Sequence, residues 1–288
     1  MDLNKYLEYV NWNQTGLDHP VVDFKTLSAL HNRHILTFPF ENFDVFLTGE
    51  TSLQHDKLFD KMVNQKRGGW CFELNGLLYS ILKQIGFKVR PLMARNRLAP
   101  GKPRTHQILL VECENQIYLV DAGFGGTCIQ KPHRLENQYI QNHGGLDFKL
   151  ILQKPEITFS GIQEPDNWLL QILKNDEWSN LYEFTLEQFE YEDFIIGNHF
   201  HTTSQLSPFT AQRLVIKVHP ETRWILINKS VREYVVENKN EVINREYIIQ
   251  SAEELRAELE KNANIIISQK QSEVLFNEEP PKSVLQYI

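Results

Sequence analysis

The chain has 288 residues, 41% of them hydrophobic and 23% charged, enough apolar material for two or three packed subdomains. No apolar run approaches the ~20 residues of a membrane span, and the start MDLNKYLEYV lacks the basic-then-apolar order of a signal peptide, so a cytoplasmic protein is the expectation. A formal net charge of -7 without a Lys/Arg-dense stripe argues against nucleic acid as a partner, and three scattered cysteines, Cys71, Cys113 and Cys128, cannot complete a disulfide framework.

The first part reads helical. Asp23 is placed as the N-cap of a helix through FKTLSALHNRHILTF, whose Phe24, Leu27, Leu30 and Phe38 roughly keep helical spacing until Pro39. Two histidines in it, His31 and His34, lack the spacing and the glutamate of an H-E-x-x-H site. They are expected on an exposed helical face, and no metal is predicted. A second short helix is expected over HDKLFDKMVNQK. The third follows Cys71, where Leu74, Leu77, Leu78, Ile81, Leu82 and Ile85 recur at three- and four-residue steps and Gly86 stands where a C-terminal cap belongs.

From Phe87 the pattern changes to strands. FKVRPLMARNRL, HQILLVE, QIYLVD, KLILQ, WLLQIL and NLYEFT are short apolar-rich runs separated by APGKP, CEN and KNDE, which suggests an antiparallel sheet or small barrel. A connecting helix is expected in LEQFEYEDFIIGN. RLVIKVH, RWILINK, REYVVEN and EVINREYII read as further strands, followed by a helix in SAEELRAELEKN, where Ser251 and Glu254 have capping-box spacing. Charge and paired prolines in SEVLFNEEPPKSVLQYI suggest a surface path for the C-terminal segment. No repeat, low-complexity tract or long linker interrupts the chain, so its parts are expected to pack as one body.

The stretch KRGGWCFELNG concentrates the chemistry. A thiol in the first turn of a helix faces unpaired backbone N–H groups and the positive end of the macrodipole, both of which favour thiolate. Cys71 occupies such a place, and Gly68 and Gly69 permit a tight approach that would leave its sulfur presentable. The competing reading is a small buried hydrophobe. Pairing Val111 with Gln116 in a hairpin would set His106 directly across from Asp121, within reach of an imidazole–carboxylate hydrogen bond, whereas a one-residue slip would separate them. Together Cys71, His106 and Asp121 have the logic of an activated thiol: the carboxylate orients the imidazole, and the imidazole takes the thiol proton.

At these residues the chain resembles the arylamine N-acetyltransferase family over nearly its whole length. RGGWCFELNG resembles the family's nucleophile motif, THQILLV its histidine strand, YLVDAGFGG its aspartate strand and loop, FPFENFDV its Pro-Phe-Glu-Asn element, and NHFHTTSQLSPF its later segment ending in an active-site phenylalanine. The resemblance implies an α+β fold, papain-like in arrangement. A helical bundle (residues 1–86) would carry the cysteine, an antiparallel β-barrel (87–200) the histidine and aspartate, and an α/β lid (201–288) would follow. It also implies acetyl transfer from acetyl-CoA to an arylamine or hydrazine, by a ping-pong route through acetyl-Cys71.

Carried over residue by residue, Phe40, Phe124 and Phe209 would wall the acceptor pocket, with ordinary core packing as the alternative for each. Gly125, Gly126 and, more weakly, Thr105 would contact the coenzyme. Arg67 and Glu41 are expected to form an ion pair fixing the cysteine loop, and Trp70 to pack beneath it. Gln205 and Ala122 depart from the family pattern without touching the triad. Transglutaminase-like, hydrolase or amide-synthase chemistry with another acyl thioester, and an inactive small-molecule binder, are the rival readings. The acceptor and the oligomeric state, homo-oligomer included, are left open by the sequence.

Overall fold

The computed structural model describes residues 1–99, 101–154, 161–162 and 165–277. Helices come first: α1 (Leu3–Tyr9), α2 (Phe24–Thr37), a two-residue strand β1 (Phe40–Glu41), α3 (Phe43–Leu47), α4 (His55–Phe59) running into a π turn (Asp60–Asn64), and α5 (Cys71–Ile85). Asp23 caps α2 as expected, its Oδ1 accepting the Thr26 N–H at 2.7 Å. Gly86 ends α5 in the left-handed region at φ 110°.

The helical face of α2 corrects one expectation. Leu27, Leu30, His31 and His34 are spaced i, i+3, i+4, i+7, which puts both histidines on the apolar side, and each is fully buried. His34 Nδ1 pairs with the Tyr6 hydroxyl at 2.8 Å. Spacing outranks polarity here, and burial holds His31 and His34 neutral at about 4 and about 3.

Eight antiparallel strands follow: β2 (Lys88–Asn96), β3 (Arg104–Cys113), β4 (Gln116–Val120), β5 (His133–Arg134), β6 (Ile140–His143), β7 (Leu146–Gln153), β8 (Asn167–Lys174) and β9 (Glu177–Phe184). Their order β5-β4-β3-β2-β9-β8-β7-β6 curls into a nearly closed barrel. The central runs look continuously apolar because both faces are covered. Leu92, Ile108, Leu110 and Leu119 fill the barrel, while Met93, Leu109, Val111 and Val120 pack on the helical bundle.

The β3–β4 register differs by two residues from the expected one. Cys113 pairs with Gln116 and Val111 with Tyr118, because Glu114 and Asn115, at φ 51° and 59°, close a two-residue turn. A shift of two keeps the faces, so His106 and Asp121 still meet. Asp121 lies just past β4, diagonal to the histidine instead of opposite it.

A connecting helix, α6 (Tyr191–Thr203), starts later than LEQFEYEDFIIGN suggested, and the short α7 (Pro208–Ala211) follows. The second sheet comprises β10 (Leu214–Val218), β11 (Thr222–Ile227), β12 (Ser230–Glu237) and β13 (Asn240–Ile248), in the order β1-β10-β11-β12-β13. Strand β1 thus stitches the helical part to this sheet. Helices α8 (Ala252–Ala263) and α9 (Gln269–Asn277) cover it around Trp224, Leu226, Leu255 and Leu259. Ser251 caps α8 as its spacing implied, accepting the Glu254 N–H at 3.1 Å. Ser272 and Leu275 of the C-terminal segment are buried in α9, and the rest of that segment, from residue 278, lies outside the described residues. Among the described residues no helix is long and apolar enough to cross a membrane.

Candidate active site

Cys71 is the first residue of α5. The loop before it docks on β1 through a bridge between Gly69 and Phe40, and Gly68 is required there, because a Cβ would lie 2.0 Å from the Pro39 carbonyl oxygen. Arg67 locks the loop as expected. Its Nε and Nη2 donate to the Glu41 carboxylate at 2.8 and 3.0 Å, and Nη2 also reaches Asp44 at 2.8 Å. Burial opposes the guanidinium charge, but the Glu41 and Asp44 carboxylates outweigh it and hold Arg67 above its ordinary value. Lys61 extends the network to Asp44 and Glu73, and Glu73 in turn accepts the Trp70 N–H at 3.1 Å. A buried network of this kind fixes a geometry more than it adds stability. Trp70 is buried, and its indole N–H donates to Asn198 on α6 at 2.9 Å.

The expectation of a presentable sulfur needs adjustment: Cys71 is only 4% exposed. Its Sγ is hydrogen-bonded to the Thr105 carbonyl at 3.8 Å, and the thiol is close enough to His106 to help raise it. His106 uses Nε2 on Asp121 Oδ2 at 2.7 Å, which leaves Nδ1 for the thiol. Phe124 and Tyr182 hold the imidazole between them, with ring centroids 5.2 and 5.1 Å away. Burial disfavours the charged ring, but the Asp121 charge and hydrogen bond, with the thiol contact, push His106 up to about 10.

Asp121 is fully buried, and its other oxygen is satisfied as well. Oδ1 accepts from Asn75 Nδ2 and from the Gly123 N–H, both at 2.9 Å. Burial opposes the carboxylate charge, yet His106 and these donors keep it below its ordinary value. Asn75 also donates to the Gln107 carbonyl at 2.7 Å and accepts the Ala122 N–H at 2.9 Å. The side chain of Asn75 therefore joins the histidine strand to the aspartate loop. Sequence reasoning missed it, although it stands four residues after Cys71 on the same helical face. Gly123 must be glycine for a different reason, since a Cβ there would sit 2.6 Å from the Cys71 Cα.

A cleft of about 550 Å³ opens between the barrel and the second sheet. Phe40, Phe124 and Phe209 line it together with Gly125 and Gly126, and Phe124 carries it to the edge of His106. Thr105 is not on this lining; its carbonyl meets the Cys71 thiol. The far wall carries Lys174 and Arg223, both paired with Glu241. No group of three or more metal-ligating side chains occurs among the described residues.

Residues 23–272 match the family profile described as N-acetyltransferase. The arylamine N-acetyltransferase of Escherichia coli K12 is 34% identical over 222 residues, which cover 76% of this chain and 74% of the relative. The chain belongs to the arylamine N-acetyltransferase family. A Salmonella typhimurium relative named arylamine N-acetyltransferase / N-hydroxyarylamine O-acetyltransferase is 35% identical over the same shares of both chains. Among solved members of the family, the Nocardia farcinica enzyme superposes with a TM-score of 0.84 at 27% identity, over 96% of this chain and 94% of that one. The Mycobacterium marinum enzyme, solved in complex with CoA, gives 0.81 at 26% identity over 96% and 98%.

Proposed function

We propose that the protein acetylates an arylamine or arylhydrazine with acetyl-CoA, in two steps through Cys71. The observation that carries this reading is the Cys71–His106–Asp121 arrangement at a helix start beside an aromatic-walled cleft. In the first step His106 takes the thiol proton and the sulfur attacks the thioester carbonyl. The carbon–sulfur bond to coenzyme A then breaks, and the coenzyme leaves as its thiol with the proton from His106. In the second step the amine attacks acetyl-Cys71, His106 removes its proton, and the thiol is restored with an amide as product. Asp121 supports the imidazolium that forms in each step.

Phe40, Phe124 and Phe209 are the proposed acceptor wall, where flat rings can stack. Gly125 and Gly126, with φ of 67° and 50°, are proposed to let the coenzyme arm pass close to the backbone, with Lys174 and Arg223 in the same cleft as cationic groups. The three cysteines are free and buried, in keeping with a cytoplasmic setting.

Intact mass after mixing the protein with acetyl-CoA and no amine tests the proposal. The expected result is a single acetyl group mapping to Cys71 and lost on addition of an arylamine. No adduct and no CoA release would overturn it. CoA release without an amine, at the full turnover rate, would favour a hydrolase.

A further inference from the structure

A second histidine, absent from the triad, stands beside it. Strand β3 bulges next to the catalytic residue: Ala94 pairs with His106 and Arg95 with Arg104, so Thr105 has no partner in β2. A bulged residue is left out of the ladder, and the carbonyl of the half-buried Thr105 takes another donor. His201 of α6 supplies it, with Nε2 donating to the Thr105 oxygen at 2.9 Å. This is the same oxygen that Cys71 Sγ faces at 3.8 Å. The other ring nitrogen is engaged too. Since Nε2 carries the proton, Nδ1 accepts, and its partner at 3.1 Å is the Ser207 hydroxyl. Ser207 caps α7 by accepting the Phe209 N–H at 3.2 Å, and the Phe209 ring packs edge-on against His201 at 4.8 Å.

We infer that His201 is a positioning residue for acetyl transfer: by holding the Thr105 carbonyl it directs the Cys71 thiol to His106, and through Ser207 it ties that geometry to the Phe209 wall. The inference rests on the proposed two-step reaction. The thiol already makes a long hydrogen bond to the Thr105 oxygen at 3.8 Å, and without the His201 donor sharing it that oxygen would be a stronger acceptor, competing better with His106 Nδ1 for the thiol hydrogen and favouring the protonated, misdirected thiol. His201 is suited to the task because it stays neutral. Trp70, Phe72, Phe200 and Phe209 surround it, and no carboxylate faces it. Burial, with the nearby His106 charge, outweighs the Thr105 hydrogen bond and holds it at about 4. A histidine here is therefore a fixed donor–acceptor, not a rival base.

The test compares His201→Leu, which keeps bulk but removes both hydrogen bonds, with His201→Gln, which can still donate to Thr105. Two quantities are read: the pH profile of Cys71 alkylation by iodoacetamide, and kcat and KM for acetyl-CoA with an arylamine. His201→Leu should move the alkylation profile to higher pH and lower kcat about tenfold, the effect of one lost hydrogen bond, with KM little changed. His201→Gln should restore most of both. A native profile and kcat in His201→Leu would overturn the inference, as would a His201→Gln variant no better than His201→Leu, since packing alone would then explain the loss. Should His201→Leu not fold, Ser207→Ala removes the Nδ1 partner together with the α7 cap and is read in the same way: a profile moved to higher pH supports the inference and a native profile overturns it. Alkylation does not depend on acetyl-CoA, so a native protein that never acetylates Cys71 would fail the proposed function while leaving the His201 reading to be decided.

Discussion

Asp121→Asn changes one oxygen to an amide nitrogen, and the neighbours decide which one. The Oδ1 position receives hydrogen bonds from Asn75 and from the Gly123 N–H, so the asparagine must keep its oxygen there and turn its NH2 toward His106. His106 Nε2 then has to accept, and the ring proton moves to Nδ1, the nitrogen that should receive the thiol proton. Electrostatics act in the same direction. With Asp121 present His106 lies at about 10, whereas His201, equally buried and without a carboxylate, lies at about 4. Taking His201 as the guide, the imidazolium fraction at pH 7 falls from nearly complete to ~10⁻³. Single-turnover acetylation of Cys71 should therefore slow by about 10³-fold, roughly a tenth of the ~10⁴ known for the equivalent change in a serine-protease triad. Stopped-flow release of CoA measures it, with a thermal melt to show that the fold is kept. A folded variant acetylating within tenfold of the native rate would refute the tautomer and charge argument together.

Cys71→Ala should abolish transfer in an amine-acetylation assay, while Cys113→Ala and Cys128→Ala stay near native. Cys128 is pushed up to about 12, chiefly by burial, which suits a packing role. Asn75→Ala leaves the Gln107 carbonyl and Ala122 N–H unpaired and strips one donor from Asp121, so urea titration should show a loss of about 2–4 kcal/mol, with slower CoA release. Acid should destabilise the fold well before carboxylates protonate. His31, His34 and His201 have folded values near 4, 3 and 4, below the ordinary 6.5, so the unfolded chain binds more protons once pH falls under about 6.5. Each removes about 1.4 kcal/mol per pH unit down to its folded value, and a urea midpoint flat between pH 7 and 5 would contradict it. His106 has the opposite sign. Its stabilising contribution is complete below pH 6.5 and disappears as pH rises through about 10.

Much of the fold was legible because its signals are local. Asp23, Gly86 and Ser251 bound helices through contacts within a few residues, and β2 and β3 read as short apolar runs because both of their faces are covered. The histidines of α2 misled because polarity was weighed above spacing, although their spacing matched that of Leu27 and Leu30. Charge and paired prolines likewise gave no sign that α9 would seat Ser272 and Leu275 beneath the second sheet, because that depends on contacts with distant residues.

The candidate site divides along the same line. Cys71, His106 and Asp121 could be proposed from a helix start and a hairpin because face parity survives an even error in register: two residues of slip moved Asp121 along its strand but not through the sheet. The residues that hold this trio had no such route. Asn75 is visible only once its helix is known to lie against both the histidine strand and the aspartate loop, and His201 reaches a carbonyl 96 positions away that is free only because β3 bulges at Thr105. Chemistry-bearing residues announce themselves by type and neighbourhood, whereas the groups that aim them are ordinary polar residues whose role exists only in three dimensions. It follows that substitutions at Asn75 and His201, which look neutral in the sequence, should disturb the reaction more than those at the conspicuous but inert Cys113 and Cys128.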